Sequence, residues 1–203
     1  MKNLTKYVTV FVIVFLVASP SAFAAQTSTS PISISATVAP AIALNVVLKQ
    51  NSSTGATVTA MNFGKLVDIG TGTLRSSPTS TTATGSVVAM VAVNGQGTSL
   101  TLTQAGTSLT GTAGTLPTGA CTVVSQYVAA DNGGSAIPSG AVANYKGTWL
   151  TTHTLYTDPT GSARTIQASY SVTDDPAAGA TTGVPLSQAA GTYAGTVTFT
   201  LTA

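Results

Sequence analysis

A period-two alternation of apolar and hydroxyl side chains, present at both ends of the chain, restricts its fold more than any other feature. From Thr196 the order is Thr-Val-Thr-Phe-Thr-Leu-Thr, which sends Val197, Phe199 and Leu201 to one side of an extended backbone and threonines to the other. Towards the other end, Ile32, Ile34, Ala36 and Val38 alternate with Ser33, Ser35 and Thr37, and after Pro40 the pattern resumes at Ile42, Leu44, Val46 and Leu48. Proline donates no backbone hydrogen bond, so this is either two strands broken at Ala39-Pro40 or one strand bent there. Half-apolar ribbons of this kind need one face covered by a core and their edges paired. The closing strand runs almost to the last residue, Ala203, and is expected either inside a sheet or as a terminal edge that another chain covers.

The intervening composition points the same way. Threonine, serine, alanine and glycine dominate, glutamate is absent, and lysine and arginine together number seven. Few strong helix formers remain, while threonine suits both faces of a pleated strand. Val87 to Val93 is a nearly continuous apolar run bounded by Gly85 and Asn94-Gly95, as expected of a central strand buried on both faces. Asn94-Gly95-Gln96-Gly97 supplies residues that tolerate positive φ, and with a return strand at Thr98 to Gln104 it predicts a hairpin. Further strands are expected at Ala120 to Ala130 and Thr165 to Thr173, with a long loop from Asp174 to Ala190. The total is about eight to ten strands with no useful amphipathic helix, which predicts an all-β, immunoglobulin-like Greek-key sandwich with a decorated middle region. Residues 31–203 are expected to form one domain.

The beginning of the chain is read as an export signal. Lys2 and Lys6 precede a twelve-residue, largely apolar run from Tyr7 to Ala18, and Ala22-Phe23-Ala24 fits a small-x-small cleavage site, so residues 1–24 are assigned to a signal peptide and 25–30 to a short polar leader. A secreted or cell-surface location follows, with no transmembrane segment in the mature chain. Beyond the signal, five basic residues stand against five aspartates. So balanced and sparse a charge offers no field for a phosphate backbone, and nucleic acid is not an expected partner.

Residues able to carry chemistry are few. His153 is the single histidine and Cys121 the single cysteine, so neither a disulfide within the chain nor a zinc or thiol-imidazole constellation is expected. Asp174-Asp175 and Asp131-Asn132-Gly133 lack calcium-loop spacing and read as turns. The chain is therefore expected to be no enzyme, with no cofactor and no metal. Tyr145, Trp149 and Tyr156 form an aromatic island: exposed together they would stack on sugar rings, and packed under a loop they would be ordinary core.

Four stretches carry a family likeness: Ile34 to Val38, Asn62-Phe63-Gly64, Val87 to Val93, and Gly191 to Thr200 with its Gly-Thr-Tyr-x-Gly-Thr-Val-Thr-Phe-Thr order. Together they resemble the secreted coat-protein-U-like and pilin-like bacterial sandwich domains, covering both ends of the chain better than Gly106 to Thr160. The resemblance implies surface-fibre subunits in which one subunit's N-terminal strand fills a neighbour's groove by β-strand complementation. Transferred to this chain, it makes Ile32, Ile34, Ala36 and Val38 the donated residues and Val197, Phe199 and Leu201 the acceptor sheet. The pilin-like disulfide has no counterpart, since Cys121 stands alone. Two functions remain open on the sequence: a structural or adhesive surface protein, fimbria-like, pairing with like subunits or with other surface-fibre subunits; or a monomeric secreted carbohydrate-binding domain using Tyr145, Trp149 and Tyr156.

Overall fold

The computed structural model describes the backbone of residues 27–30 and 35–38 and all atoms of residues 42–68, 70–76 and 86–203. The export signal and the side chains of Ile32 and Ile34 lie outside the described residues. The fold is all-β, built of antiparallel sheets. Among the described residues, helix is confined to three short 3-10 segments, Thr118–Ala120, Ala129–Asn132 and Pro176–Ala178.

The largest sheet has seven strands. In spatial order these are β12 (Lys146–Thr148), β11 (Cys121–Tyr127), β14 (Arg164–Val172), β7 (Val87–Asn94), β3 (Ile42–Gln50) and β2 (Ser35–Val38). The seventh, β4 (Thr57–Val58), pairs with Leu48 and Lys49 of β3, beyond the stretch that β2 covers. A four-stranded sheet has the order β1 (Thr27–Ser30), β16 (Val197–Thr202), β8 (Leu100–Gly106) and β13 (His153–Asp158). Smaller pieces decorate these two: β5 (Leu66–Asp68), β6 (Thr73–Ser76) and β15 (Val184–Pro185) form one sheet, and β9 (Thr110–Gly111) with β10 (Gly114–Thr115) another.

Alternation places the core. Ile42, Leu44, Val46 and Leu48 of β3, Ala89, Val91 and Val93 of β7, and Ile166, Ala168, Tyr170 and Val172 of β14 are all buried, and they join Leu100 and Leu102 of β8 and Val197, Phe199 and Leu201 of β16 in one hydrophobic cluster. Tyr170 meets Phe199 edge to face at 6.2 Å between ring centroids, and Trp149 packs against both Tyr170 and Phe63. Polar atoms inside are partnered: the fully buried Gln104 donates to the carbonyls of Trp149 and Thr151 and accepts from the Tyr170 hydroxyl.

Four sequence expectations are corrected here. Val87–Asn94 and Leu100–Gly106 do not form a hairpin: β7 has β3 and β14 on its two sides, while β8 lies between β16 and β13. Both edges of β7 are already taken, so the tight turn carries the chain from one sheet into the other. The turn chemistry is nevertheless as expected, with Gln96 at φ 47° and Gly97 at φ 90°, and Thr98 N–H donating to the Gly95 carbonyl. Second, β7 is central, but its outward side chains Met90 and Ala92 are only half-buried. Third, the polar leader is partly structured, because Thr27–Ser30 pairs with Phe199 to Thr202. Fourth, the long loop after β14 contains β15, which pairs with β6 through Val184 and Leu74.

Candidate functional site

The two main sheets end in four flanks, and these differ in what closes them. At one end of the larger sheet lies β12, only three residues long and carrying the exposed Lys146, a short charged edge of the kind that resists further pairing. In the smaller sheet the outer flank of β13 is met by Val142, whose N–H and C=O exchange bonds of 3.0 Å with Thr157. Both of these covers belong to residues 141–148, a segment held in the chain on both sides.

The other two flanks are both covered by one N-terminal arm, which on β3 shares the flank with β4. Strand β1 lies on the outer side of β16, with Thr27 opposite Thr202 and Ser30 opposite Phe199. Strand β2 then lies on the outer side of β3, with Ala36 opposite Leu44 and Val38 opposite Ile42. One segment therefore closes both sheets in turn. Of the residues expected to be donated, Ala36 and Val38 fall in β2, while Ile32 and Ile34 lie between the two pairings and outside the described residues. The residues expected to line the acceptor sheet lie in β16, which pairs with β1. Val197, Phe199 and Leu201 are buried with their side chains in the core, so β16 offers its backbone edge, and it receives Thr27–Ser30; β3 receives Ala36 and Val38.

The aromatic trio does not form an exposed platform. Trp149 is 2% exposed and Tyr156 fully buried; only Tyr145 is partly open, stacked on His153 at 4.2 Å. The cause for Tyr156 is a β-bulge: Thr154 pairs with Thr103 and Tyr156 with Leu102, so Leu155 is an extra residue and both Leu155 and Tyr156 turn inward. Strict alternation would have placed Tyr156 on the same side as the exposed Thr154. Trp149 is drawn inward by position and by bonding, its indole N–H donating to the Thr107 carbonyl at 3.3 Å. Of the two alternatives left open for Tyr145, Trp149 and Tyr156, the core placement holds for Trp149 and Tyr156.

The titratable groups are settled into structure. Cys121 is buried, and burial pushes its thiol up to about 12, which favours the protonated form near neutrality. His153, bonded to Thr151, is held below its ordinary value by burial. Asp158 accepts from the Tyr156 hydroxyl, from Thr160 N–H and Oγ1, and from Ser162 N–H. Burial pushes its carboxyl up, but those hydrogen bonds outweigh burial and hold it below the usual carboxylate range. Asp174 is held low chiefly by the Thr73 hydroxyl, with Arg75 at 3.5 Å contributing. Asp131 and Asn132 lie in a 3-10 segment and Asp175 caps another, in keeping with turns. Among the described residues no group of three metal-ligating side chains occurs.

One open concavity, about 420 Å³, lies on the face of the larger sheet away from the core. Its floor comprises Ala43 and Ala92, with Asn45, Asn94 and Asp131 among the polar groups around it; Arg164 borders it, but in the strand register it stands opposite Val93, on the core-facing side. Asn132 fixes the wall that carries Asp131: its side chain donates to the carbonyls of Val128 and Thr165 and accepts from Thr165 N–H. The sequence reading overlooked this groove because its residues are scattered over β3, β7, β14 and a loop. No family model, no curated protein and no solved structure matches the chain.

Proposed function

We propose that this chain is a non-enzymatic, extracytoplasmic structural or adhesive component of a cell surface, a fimbria-like subunit on an immunoglobulin-like Greek-key sandwich. Its subunits join when the N-terminal arm leaves its own sheets and pairs in the same way with a neighbour's. The observation that carries this reading is the arm's double role as the outer partner of both β16 and β3. An arm that leaves uncovers two unpaired backbone edges at once, and the identical arm of a second copy satisfies both with the same register. Ala39-Pro40-Ala41, where proline limits pairing, stands where the arm joins the body. Export is supported by the charged start, apolar run and small-x-small site of residues 1–24. The likeness of both chain ends to pilin-like domains supports the same reading.

The test uses the mature chain from Ala25, a version beginning at Ala41, and a peptide of residues 25–38. The shortened chain is expected to keep its core but to be less stable and more prone to associate through its uncovered edges, and to gain stability as a 1:1 complex when the peptide is added. Full-length protein should form chains visible by electron microscopy, and Ile32→Asp with Ile34→Asp should stop their growth. A shortened chain that is stable alone and ignores the peptide, with full-length protein monomeric at high concentration, would overturn the proposal.

A further inference from the structure

The outer face of the smaller sheet is a registered lattice of threonine. Alternation sends the apolar residues of β8 and β16 into the core, and the residues left on the other side pair with one another across the strands. Thr202 stands opposite Thr101 and Thr200 opposite Thr103; β13 adds Thr157 opposite Thr101 and Thr154 opposite Thr103. The bulge preserves this pairing, because the extra residue it inserts is accommodated by turning both Leu155 and Tyr156 inward. On the opposite flank, β1 sets Thr27 opposite Thr202 and Thr29 opposite Thr200. Two rows of threonine positions thus cross all four strands, and Val142, 48% exposed, extends one of them beyond Thr157.

This face differs from the outer face of the larger sheet, where Lys49, Met90, Gln126 and Lys146 are mixed. Among the described residues, β8, β13 and β16 turn no charged side chain and no aromatic ring outward: Asp158 and Tyr156 are buried, and His153 lies on the inward side opposite the buried Gln104. A sugar therefore has no ring to stack on here. Four strands about 4.8 Å apart, with β16 six residues long, present roughly 400 Å², half of what one partner gives to a stable protein interface. Ordered water fits the face better. A hydroxyl both donates and accepts, as each water in ice does, and threonine is stiff at χ1, so the array is arranged before anything binds. Its repeats, about 4.8 Å between strands and about 6.8 Å between rows, lie near those of the oxygens on a prism face of ice. The Thr103 hydroxyl donates to the Thr200 carbonyl at 3.4 Å, while the hydroxyls of Thr101, Thr154 and Thr157 have no side-chain bond to the described residues and are left for water.

We propose that this threonine face adsorbs to ice and shapes its growth. The inference goes beyond the strand-exchange reading and does not need it, since β8, β13 and β16 lie outside the arm. Neighbouring strands twist by roughly 20–25°, which confines the match to a small patch, so crystal shape and coarsening are the effects to measure. The test follows single ice crystals held just below the melting point in a solution of the mature protein, and the coarsening of a polycrystalline film, with serum albumin at equal mass as the reference. Faceted crystals and slowed coarsening are expected. Thr101→Lys and Thr200→Lys, each in the middle of a row, should lose both effects while leaving the thermal midpoint within a few degrees. Asn45→Lys puts the same charge on the larger sheet and should keep both. Round crystals with coarsening equal to that in albumin would overturn the proposal, as would faceting that survives both threonine substitutions or is lost equally in Asn45→Lys.

Discussion

Gly106 shows how one residue sets the limits of the core. It closes β8 directly beneath Trp149, and a Cβ there would overlap both the indole Cδ1 and the Trp149 carbonyl oxygen. The indole cannot retreat easily, since its N–H is bonded to Thr107 and its own backbone to Cys121 and Gln104. Gly106→Ala is therefore expected to cost about 1–3 kcal/mol, the usual penalty for overpacking. Trp149 is the only tryptophan, so its fluorescence reports the site directly. Urea unfolding should show an earlier midpoint and a red-shifted native emission; an unchanged midpoint and spectrum would contradict this account of the packing. The glycine was visible in the sequence, but its reason was not, because Trp149 is 43 positions away.

Among the elements, the strands are not equally secured. Strand β7 is bonded along its length by β3 on one side and β14 on the other, whereas β1 and β2 are each held along one side only. Opening the arm breaks two four-residue pairings and leaves the core cluster of β3, β7, β14, β8 and β16 in place. Hydrogen exchange of the monomer should accordingly show Thr27–Ser30 and Ser35–Val38 exchanging well before Val87–Asn94, through a local opening. Arm amides that exchange only at the rate of global unfolding would mean that the arm cannot leave without destroying the fold. The existence of the strands was legible from alternation in β2, β3, β8, β14 and β16. Their partners were not: nothing in Asn94-Gly95-Gln96-Gly97 says whether the chain folds back beside β7 or crosses to the opposite sheet. The bulge at Leu155 was likewise not legible, since the adjacent Leu155 and Tyr156 fit equally a regular strand with one side chain on each face and a bulge that turns both inward.

At the scale of the whole molecule, the shifted groups act together on stability. Asp158 and Asp174 are held low in the folded protein, so their contribution is complete above the unfolded carboxylate value of about 3.9 and is lost as pH falls through their folded values. His153 is also lowered, and below about 6.5 the unfolded chain takes up a proton that the folded one resists, which adds to the acid loss. Burial raises Cys121, Tyr170 and Tyr156, so the alkaline limb runs the other way: stability falls as pH rises above the unfolded thiol value, the Cys121 part continuing to about 12. Denaturant midpoints across pH should show a plateau near neutrality with a decline on each side. Asp158→Asn should flatten the acid limb and Cys121→Ala the early alkaline limb; limbs untouched by these substitutions would show that other groups govern them.

Read alone, the chain determined its class: alternation in Ile42 to Leu48 and in Val197 to Leu201, with so few helix formers between, leaves extended strands as the way to separate apolar from hydroxyl faces. It also determined the scarcity of reactive groups, because one histidine and one cysteine are facts of composition. Tertiary structure decided everything that depends on which segments meet. It divided the strands between two sheets, laid the arm along β16 and β3, turned Tyr156 and Trp149 inward, and gathered Asn45, Asn94 and Asp131 around one groove. The physical reason is that side-chain direction follows from the local backbone, whereas strand partners and grooves arise from contacts between residues distant in sequence, which local pattern does not encode.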